Sequence, residues 1–202
     1  GGRIEHISYL VQSLERIGVS AMVIEDKIGL KKNSLFKDQK GIKQDSIKNF
    51  CKKLIKAKQS KSSDDFFIVA RIESFILGKG VDDALKRAKA YSKAGADAIL
   101  IHSKEKKPNE IFAFSKKFQK SKYLKPLIAV PSTYSKTYER DLVKNGFKIV
   151  IYANHFLRAV HLAIKKVAKS ILTNQRSFES EKYIDSIQEV LSLIKWFYLR
   201  TY

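Results

Sequence analysis

The sequence predicts an α/β protein in which parallel strands alternate with helices and form a (β/α) barrel. Short, continuously apolar runs alternate with longer amphipathic segments along the 202 residues, and such runs are typical of parallel strands buried on both faces. Most of the predicted strands also end in polar or special residues, namely Glu25, Arg71, His102, Pro131 with Ser132, and Asn154. The carboxyl ends of several strands converge on one site in a barrel, whereas an open sheet gathers only those near its switch point.

The individual elements follow from this alternation. The first helix is predicted over 4–18, where Gly18 is a C-cap signal, and the first strand over 19–25. After a polar segment, the pattern predicts helices over 46–58, 81–95 (ending at Gly95), 108–120, 137–146, 155–174 and 183–200, with strands over 66–71, 96–102, 126–131 and 147–153 between them.

Five strands are visible, whereas a closed barrel of this type has eight. Because the first helix begins almost at residue 1, we expect about three strands, on the order of 80–100 residues, to precede the sequence. The predicted domains are residues 1–176, which carry strands four to eight of the barrel, and residues 177–202, a C-terminal packing or oligomerisation helix.

The composition is dominated by a net charge of +20 at pH 7. Such a charge can indicate a polyanionic partner. However, the lysines are spread over the predicted helix faces and no nucleic-acid-binding signature accompanies them, so we interpret them as a solvated surface and do not expect nucleic acid as a partner. No apolar run approaches the roughly 20 residues of a membrane helix. The single cysteine, Cys51, excludes an internal disulfide and fits a cytoplasmic protein.

Three strand-end residues form the candidate site. Glu25, Arg71 and His102 combine an acid, a guanidinium and an imidazole, which suits a small anion held on a metal. Arg71 can bind a carboxylate or phosphonate through two bonds, His102 can donate to an oxyanion, and Glu25 can orient Mg²⁺ or its waters. The alternatives are a strand-end ion pair between Arg71 and Glu73 and a hydrogen-bonded core histidine at position 102.

The segment EDKIGLKKNSLF, residues 25–36, is polar, cationic and contains a glycine. This composition is typical of a mobile lid, and an exposed surface turn is the alternative. The residues assigned to this gating loop are Asp26, Lys27, Gly29, Lys31 and Lys32. The two adjacent lysines would close over an anionic ligand, and the amide of Asn33 would donate hydrogen bonds to it.

Five blocks follow one another in the chain: EDKIGLKKNSLF, VARIESFILGKG, DDALKRAKAYSKAGADAILIHSKEK, VPSTY and IYANHFLRA. Together they resemble the phosphoenolpyruvate mutase family of the isocitrate lyase superfamily, up to about residue 180. The resemblance implies a (β/α)8 barrel that interconverts phosphoenolpyruvate and phosphonopyruvate with Mg²⁺, the carbon–phosphorus bond-forming step of phosphonate biosynthesis.

The resemblance also implies residue roles. Glu25 would support the metal through water, while Arg71 and His102 would hold the phosphoryl group and substrate oxygens. The family's main metal-binding aspartates correspond to positions upstream of residue 1. Lys31, Asn33 and Ser34 stand at the places of the family's catalytic lysine, asparagine and serine in the gating loop.

The same loop separates the branches of the superfamily. Its lyases carry Cys-Gly-His where this chain has Lys31, Asn33 and Ser34, so carbon–carbon lyase activity is not expected. Phosphonopyruvate hydrolases tend to lack the asparagine, so Asn33 favours the mutase. A hydrolase, or another enzyme acting on 2-oxo acids, is the alternative within the superfamily. The alternative of another class is an inactive paralogue that binds nucleic acid or another polyanion.

The tail carries an apolar stripe at heptad-like spacing, formed by Ile184, Ile187, Leu191, Ile194 and Tyr198. The family exchanges its last helices between subunits, so the resemblance implies a swapped C-terminal helix in a homodimer or tetramer. Packing of this helix on its own barrel is the alternative.

Overall fold

The computed structural model describes residues 3–29, 33–34 and 40–198. Its strands are β1 (Ala21–Glu25), β2 (Lys27–Ile28), β3 (Lys43–Gln44), β4 (Phe67–Ile72), β5 (Ala98–Ile101), β6 (Leu127–Ala129) and β7 (Phe147–Val150). Its helices are α1 (Ile4–Arg16), α2 (Ile47–Ser60), α3 (Gly80–Lys93), α4 (Asn109–Phe118), α5 (Glu139–Lys144), α6 (His155–Asn174) and α7 (Ile187–Tyr198), with a 3-10 helix at Phe178–Tyr183.

Five strands form one parallel sheet in the order β1-β4-β5-β6-β7. Each strand of this sheet therefore lies beside the next one along the chain, whereas a doubly wound sheet reverses its order at a switch point. The described strands show no such reversal, which is the arrangement of a barrel wall. The remaining strands, β2 and β3, form a small antiparallel ribbon that the sequence pattern did not predict.

Two of the helix ends show why the chain turns back where it does. Gly18 and Gly95 have φ angles of 79° and 103°, in the left-handed region that glycine adopts without steric strain. Each lies two residues after the last residue of its helix, at the C-terminal turn that the sequence predicts. At the start of α2, the side chain of Ser46 accepts a hydrogen bond from the backbone N–H of Asn49, which fixes the beginning of that helix.

Because successive side chains of a strand point to opposite faces of the sheet, the buried apolar residues form two clusters, one on each face. The larger cluster faces the helices and includes Met22, Ile24, Ile68, Ala70, Ile72, Ile99 and Ile101. The smaller cluster defines the opposite, inner face and consists of Val69, Ala98, Leu100, Ile128 and Val130. Because successive side chains point to opposite faces of a strand, Glu25 and Arg71 fall on the inner face, at its carboxyl edge.

The chain divides into two compact units, Gly1–Tyr152 and Ala153–Tyr202. The first contains the sheet and helices α1 to α5. In the second, α6 has no buried residue, and Phe156, Leu157 and Leu172 are each more than 70% exposed. The predicted division between residues 176 and 177 stays a prediction. Within the described part of the chain, no helix combines the length and apolar character needed to cross a membrane.

Candidate active site

The strand ends bring the three predicted site residues to one edge of the sheet. Glu25 and Arg71 are partners in the parallel register of β1 and β4, and Glu25 Oε2 lies 3.8 Å from Arg71 Nε. His102 directly follows β5, and the alternation of that strand continues the inner-face positions 98 and 100 to it. The structure thus gathers these side chains at the carboxyl edge, and their roles stay predictions.

Arg71 belongs to a group of four side chains, Lys27, Ser34, Arg71 and Glu73, here termed the edge cluster. Arg71 Nε lies 2.5 Å from Glu73 Oε1, so the predicted strand-end ion pair is present. Arg71 Nη2 also donates to Ser34 Oγ over 2.9 Å. Ser34 Oγ in turn donates to Glu73 Oε2 over 2.5 Å and accepts from Lys27 Nζ over 2.9 Å.

The edge cluster contains two cations and one anion. Glu73 is fully buried, and burial alone would raise the pKa of its carboxyl group. Arg71, the hydrogen bond from Ser34 and the charge of Lys27 outweigh that effect and hold the pKa below its ordinary value. Glu73 is therefore ionised at neutral pH. The two cations of the cluster lie beside two carboxyl groups, those of Glu73 and of the neighbouring Glu25.

His102 is 4% exposed, and among the described residues its Nδ1 atom has no hydrogen-bond partner. Burial, with a smaller contribution from the positive charge of Arg71, lowers its pKa to about 4. The imidazole is therefore neutral at pH 7 and has one N–H donor and one acceptor nitrogen. Since buried polar atoms are nearly always hydrogen-bonded, the unpartnered nitrogen at this strand end is a candidate contact for a ligand or a water molecule.

Asp26, the neighbour of Glu25, points to the other face of the sheet and contacts α3. With Gln44, Arg87 and Tyr91 it forms what we term the anchor cluster. Asp26 Oδ2 accepts from Tyr91 Oη and Gln44 Nε2, each over 2.8 Å, and from Arg87 Nη1 over 3.2 Å. Its Oδ1 accepts from the backbone N–H of Glu73 over 3.0 Å. Both carboxylate oxygens of Asp26 are therefore bonded.

The predicted gating-loop residues lie in different environments. Asp26 and Lys27 are 0% and 5% exposed and lie at the base of the loop, in the two clusters just described. Gly29 follows β2 with a φ angle of 90°. Asn33 is exposed, whereas the adjacent Ser34 is buried in the edge cluster. Lys31 and Lys32 lie outside the described residues.

Sequence reasoning missed the anchor cluster and treated Glu73 only as an ion-pair partner. One available signal was the position of Arg87, which falls on the face of α3 that also buries Ala84, Ala88 and Tyr91. Charged residues at such positions are almost never fully buried unless they are paired. Arg87 in fact bonds to Asp83 Oδ2 over 2.9 Å as well as to Asp26.

The described residues do not by themselves fit a directly coordinated Mg²⁺ ion. No group of three or more His, Cys, Asp or Glu side chains within them is placed to hold a metal. Mg²⁺ takes six oxygen ligands, often including several waters, and both oxygens of Glu73 already bind other side chains. Glu25, at the inner-face edge, fits only the water-mediated role that was predicted for it.

Comparison with known proteins supports the resemblance seen in the sequence. The family model for phosphoenolpyruvate phosphomutase matches residues 1–172. The phosphoenolpyruvate phosphomutase of Tetrahymena pyriformis is 38% identical over 192 residues, which cover 95% of this chain and 63% of that protein. The chain thus spans less than two thirds of the length of this curated relative.

Solved structures of related enzymes also match this chain along nearly its whole length. The phosphoenolpyruvate phosphomutase of Streptomyces platensis subsp. rosaceus matches with a TM-score of 0.88 and 34% identity, over 98% of this chain and 68% of that one. A phosphonopyruvate hydrolase in complex with oxalate and Mg²⁺ matches with a TM-score of 0.83 and 34% identity, over 98% and 67% of the two chains. These matches confirm the predicted fold class, the α/β fold of the TIM-type barrels of this superfamily. The chain belongs to the phosphoenolpyruvate phosphomutase family, within the PEP mutase/isocitrate lyase superfamily.

Proposed function

We propose that the protein interconverts phosphoenolpyruvate and phosphonopyruvate. The observation that carries this proposal is the contact between the gating loop and the strand ends, in which Ser34, next to Asn33, bonds to Arg71. One of the loop residues predicted to be catalytic, Ser34, therefore reaches the guanidinium predicted to hold the phosphoryl group. Membership in the phosphomutase family supports the same reaction.

The reaction moves a phosphoryl group within one molecule. The bond between phosphorus and the enol oxygen breaks, a bond between phosphorus and the methylene carbon forms, and no proton or water is added overall. Catalysis then consists mainly of positioning and charge neutralisation. Arg71 would bind the phosphoryl or carboxylate oxygens through two N–H donors, the neutral His102 would donate one N–H to a substrate oxygen, and Asn33 would contact the phosphoryl group during transfer.

Mg²⁺ and Lys31 belong to the same proposal. When bound, Mg²⁺ would supply charge neutralisation for the substrate oxygens, and Glu25 would orient one of its waters. Lys31 would add a positive charge from the loop. The cytoplasm is the proposed compartment, on the basis of the single cysteine.

A phosphonopyruvate hydrolase is the second candidate, because such an enzyme matches this chain at the same 34% identity as the mutase structure. Its reaction would transfer the phosphoryl group to water instead of to the oxygen of the same molecule. Asn33 favours the mutase over this alternative, since the resemblance implies that hydrolases tend to lack this residue.

Phosphorus NMR distinguishes these reactions. The chain, and a form extended at its N-terminus, would be incubated with phosphonopyruvate and Mg²⁺, with and without a chelator. A phosphoenolpyruvate signal that requires the metal supports the mutase, and inorganic phosphate without that intermediate supports the hydrolase. If both forms are folded and neither reacts, the proposal fails and the basic, polyanion-binding alternative takes precedence. That alternative predicts salt-dependent retention of nucleic acid.

Substitution of Asn33 by alanine tests the role of the loop. We expect Asn33→Ala to lower turnover by about a hundredfold or more, the size seen when a donor to a developing charge is removed. The midpoint of thermal unfolding should barely move, because the side chain is exposed. Asn49→Ala, which changes an exposed asparagine on α2, is the matched control and should leave turnover unchanged. An unchanged rate in Asn33→Ala would remove Asn33 from the mechanism.

The proposed assembly is a homodimer or tetramer in which the last helices are exchanged. It is supported by the exposed apolar residues of α6, since monomeric proteins rarely expose large contiguous apolar patches. Leu172 is 79% exposed, so Leu172→Glu should lower the mass measured by light scattering if this face is covered by a second copy. An unchanged mass would argue that the helix lies outside the interface.

A further inference from the structure

Two neighbouring strands of the sheet are followed by polar side chains that each have a buried atom without a protein partner. These atoms are Nδ1 of His102, after β5, and Oγ of Ser132, after β6, and neither has a hydrogen-bond partner among the described residues. Both atoms are shielded from solvent. Because an unbonded buried polar atom is unfavourable, we expect each of them to bond to a further group.

His102 and Ser132 fall on the same face of the sheet. The strands β5 and β6 pair in parallel with Leu100 opposite Ile128, and both of these residues belong to the inner-face cluster. Side chains alternate between the two faces, so steps of two residues stay on one face. Such steps lead from Leu100 to His102 and from Ile128 to Ser132, which places both polar side chains on the inner face at the carboxyl edge.

The segment after β6 is bonded to the segment after β5. Thr133 Oγ1 donates to the backbone carbonyl oxygen of Ser103 over 2.8 Å. These two residues directly follow Ser132 and His102 in the chain, so the bond holds the two strand ends side by side. The turn is therefore fixed by the hydroxyl of Thr133, and the hydroxyl of Ser132 takes no part in that bond.

The strand on the other side of β5 brings a third donor to this edge. Arg71 is the partner of Leu100 in the register of β4 and β5. A guanidinium can only donate, and a serine hydroxyl has one proton to donate. Hydrogen bonds to an ionised oxygen are about twice as strong as those between neutral groups. A carboxylate or phosphonate oxygen is therefore the partner that this row of strand-end donors favours.

We propose that Ser132 is a further substrate-binding residue, whose hydroxyl group donates a hydrogen bond to a carboxylate or phosphonate oxygen of the anion bound at Arg71 and His102. The identity of this anion as a substrate rests on the proposed function. The placement of the hydroxyl beside His102 rests on the register, the burial and the bond of Thr133 alone.

A serine that serves the ligand differs from one that serves the fold in its effect on the ligand-free protein. Ser132→Ala removes a buried hydroxyl that lacks a partner in the described part of the chain, so the melting temperature should stay the same or rise. Thr133→Val keeps the shape of the side chain but removes the hydroxyl bonded to Ser103, so it should lower the melting temperature.

Binding is measured with two unreactive probes that each carry one end of the substrate, pyruvate for the carboxylate and methylphosphonate for the phosphonate. The N-terminally extended form with Mg²⁺ is titrated with each probe, and Kd is obtained from the rise in melting temperature. Ser132→Ala should raise Kd about tenfold for one probe, the effect of losing a hydrogen bond to a charged group. The probe that is affected identifies the end of the substrate that Ser132 contacts.

Two further variants serve as controls for the binding measurement. Ser132→Thr keeps a hydroxyl group at this position and should retain most of the affinity for both probes. Ser135→Ala changes an exposed serine three positions further along the same segment and should leave both Kd values unchanged.

Three outcomes would overturn the proposal. They are equal affinities of the wild type and Ser132→Ala for both probes, no binding of either probe to the wild type, and a melting temperature that Ser132→Ala lowers as far as Thr133→Val does. Equal affinities would mean that the hydroxyl bonds to water, and the lowered melting temperature would mean that it bonds within the fold.

The binding result is independent of turnover, because neither probe can react. A protein that binds the probes but is inactive in the NMR experiment would refute the proposed function and leave the contact of Ser132 with an anion in place. If the protein is active, kcat/KM for phosphonopyruvate should fall about tenfold in Ser132→Ala and recover in Ser132→Thr. An unchanged kcat/KM in Ser132→Ala would contradict a contact with the substrate.

Discussion

The edge cluster and the anchor cluster start from adjacent residues of the chain, Lys27 and Asp26, and differ in what they join. The anchor cluster bonds the end of β1 to α3, whereas the edge cluster bonds the end of β4 to Ser34 of the loop. In the anchor cluster, the two oxygens of Asp26 receive four hydrogen bonds from protein donors. At the edge, Lys27 and Arg71 lie beside the carboxyl groups of Glu73 and Glu25. Within the described residues, Nδ1 of the neighbouring His102 has no hydrogen-bond partner, and in the anchor cluster Oε1 of Gln44 has none either. A buried carboxylate with all its bonds made, such as Asp26, stabilises the fold, whereas an unpartnered atom at the strand-end edge, such as Nδ1 of His102, is a candidate contact for a ligand or a water molecule.

Substitution of Asp26 by alanine should have the largest effect on stability. It leaves the side chain of Arg87, 6% exposed, without one of its two carboxylate partners. We expect the free energy of unfolding, measured by urea denaturation, to fall by about 3–5 kcal/mol, as when one member of a buried ion pair is removed. Asp82→Ala breaks the exposed pair with Lys117 and is the control, with little change expected. A loss no greater than the control's would mean that the anchor cluster does not stabilise the fold.

The pH dependence of the free energy of unfolding should report the protonation of His102, which lies at the carboxyl edge of the sheet. The ordinary pKa of 6.5 falls to about 4 in the folded protein, so between these values the unfolded chain binds a proton that the folded chain does not. The free energy of unfolding should therefore decrease as the pH falls from about 6.5 to about 4, by about 3 kcal/mol in total.

The matched measurement is urea unfolding of the wild type and of His102→Gln between pH 4 and pH 8. All other residues are the same in the two proteins, so the difference between the two curves isolates His102. The variant should lose less stability on acidification. Parallel curves for the two proteins would show that His102 is not held in its neutral form by the fold.

Removal of one hydroxyl from the anchor cluster should have the smallest effect. Tyr91→Phe keeps the ring that packs on Phe50 at a centroid distance of 4.5 Å but removes the hydroxyl bonded to Asp26 and Arg87. We expect a loss of about 1–3 kcal/mol in the free energy of unfolding, since both bonds involve charged groups. Tyr9→Phe, at a 72% exposed position, provides the control. Equal stability of the two variants would show that the hydroxyl of Tyr91 contributes nothing.

Local sequence patterns were sufficient for the main elements of the fold. Continuous apolar runs located the five parallel strands, and the amphipathic pattern of residues 155–174 matches α6 residue for residue. The polar strand ends also located the carboxyl edge, because parallel strands all end on the same side of a sheet. Among the strand-end residues, Glu25, Arg71 and His102 were selected because they combine an acid, a guanidinium and an imidazole.

The two clusters could not be predicted in this way, because their bonds join residues far apart in sequence. Asp26 meets Tyr91 across 65 positions and the backbone of Glu73 across 47. The polar composition around Asp26 and Lys27 predicted a mobile lid or an exposed surface turn, whereas tertiary pairing buries both of these side chains. The strands β2 and β3 have two residues each, too few to show a periodic pattern.

The ribbon of β2 and β3 has a consequence for the segment between its two strands. It pairs Lys27 with Gln44 and Ile28 with Lys43, and the backbone of Asp45 bonds to that of Asp26 over 2.7 Å. The two ends of the intervening segment are therefore held together whatever lies between them. Because the entropy of closing a loop grows by only about 0.6 kcal/mol for each doubling of its length, insertions and replacements there leave the barrel wall almost undisturbed. We therefore expect the segment between β2 and β3 to tolerate changes in length and sequence that the parallel sheet would not.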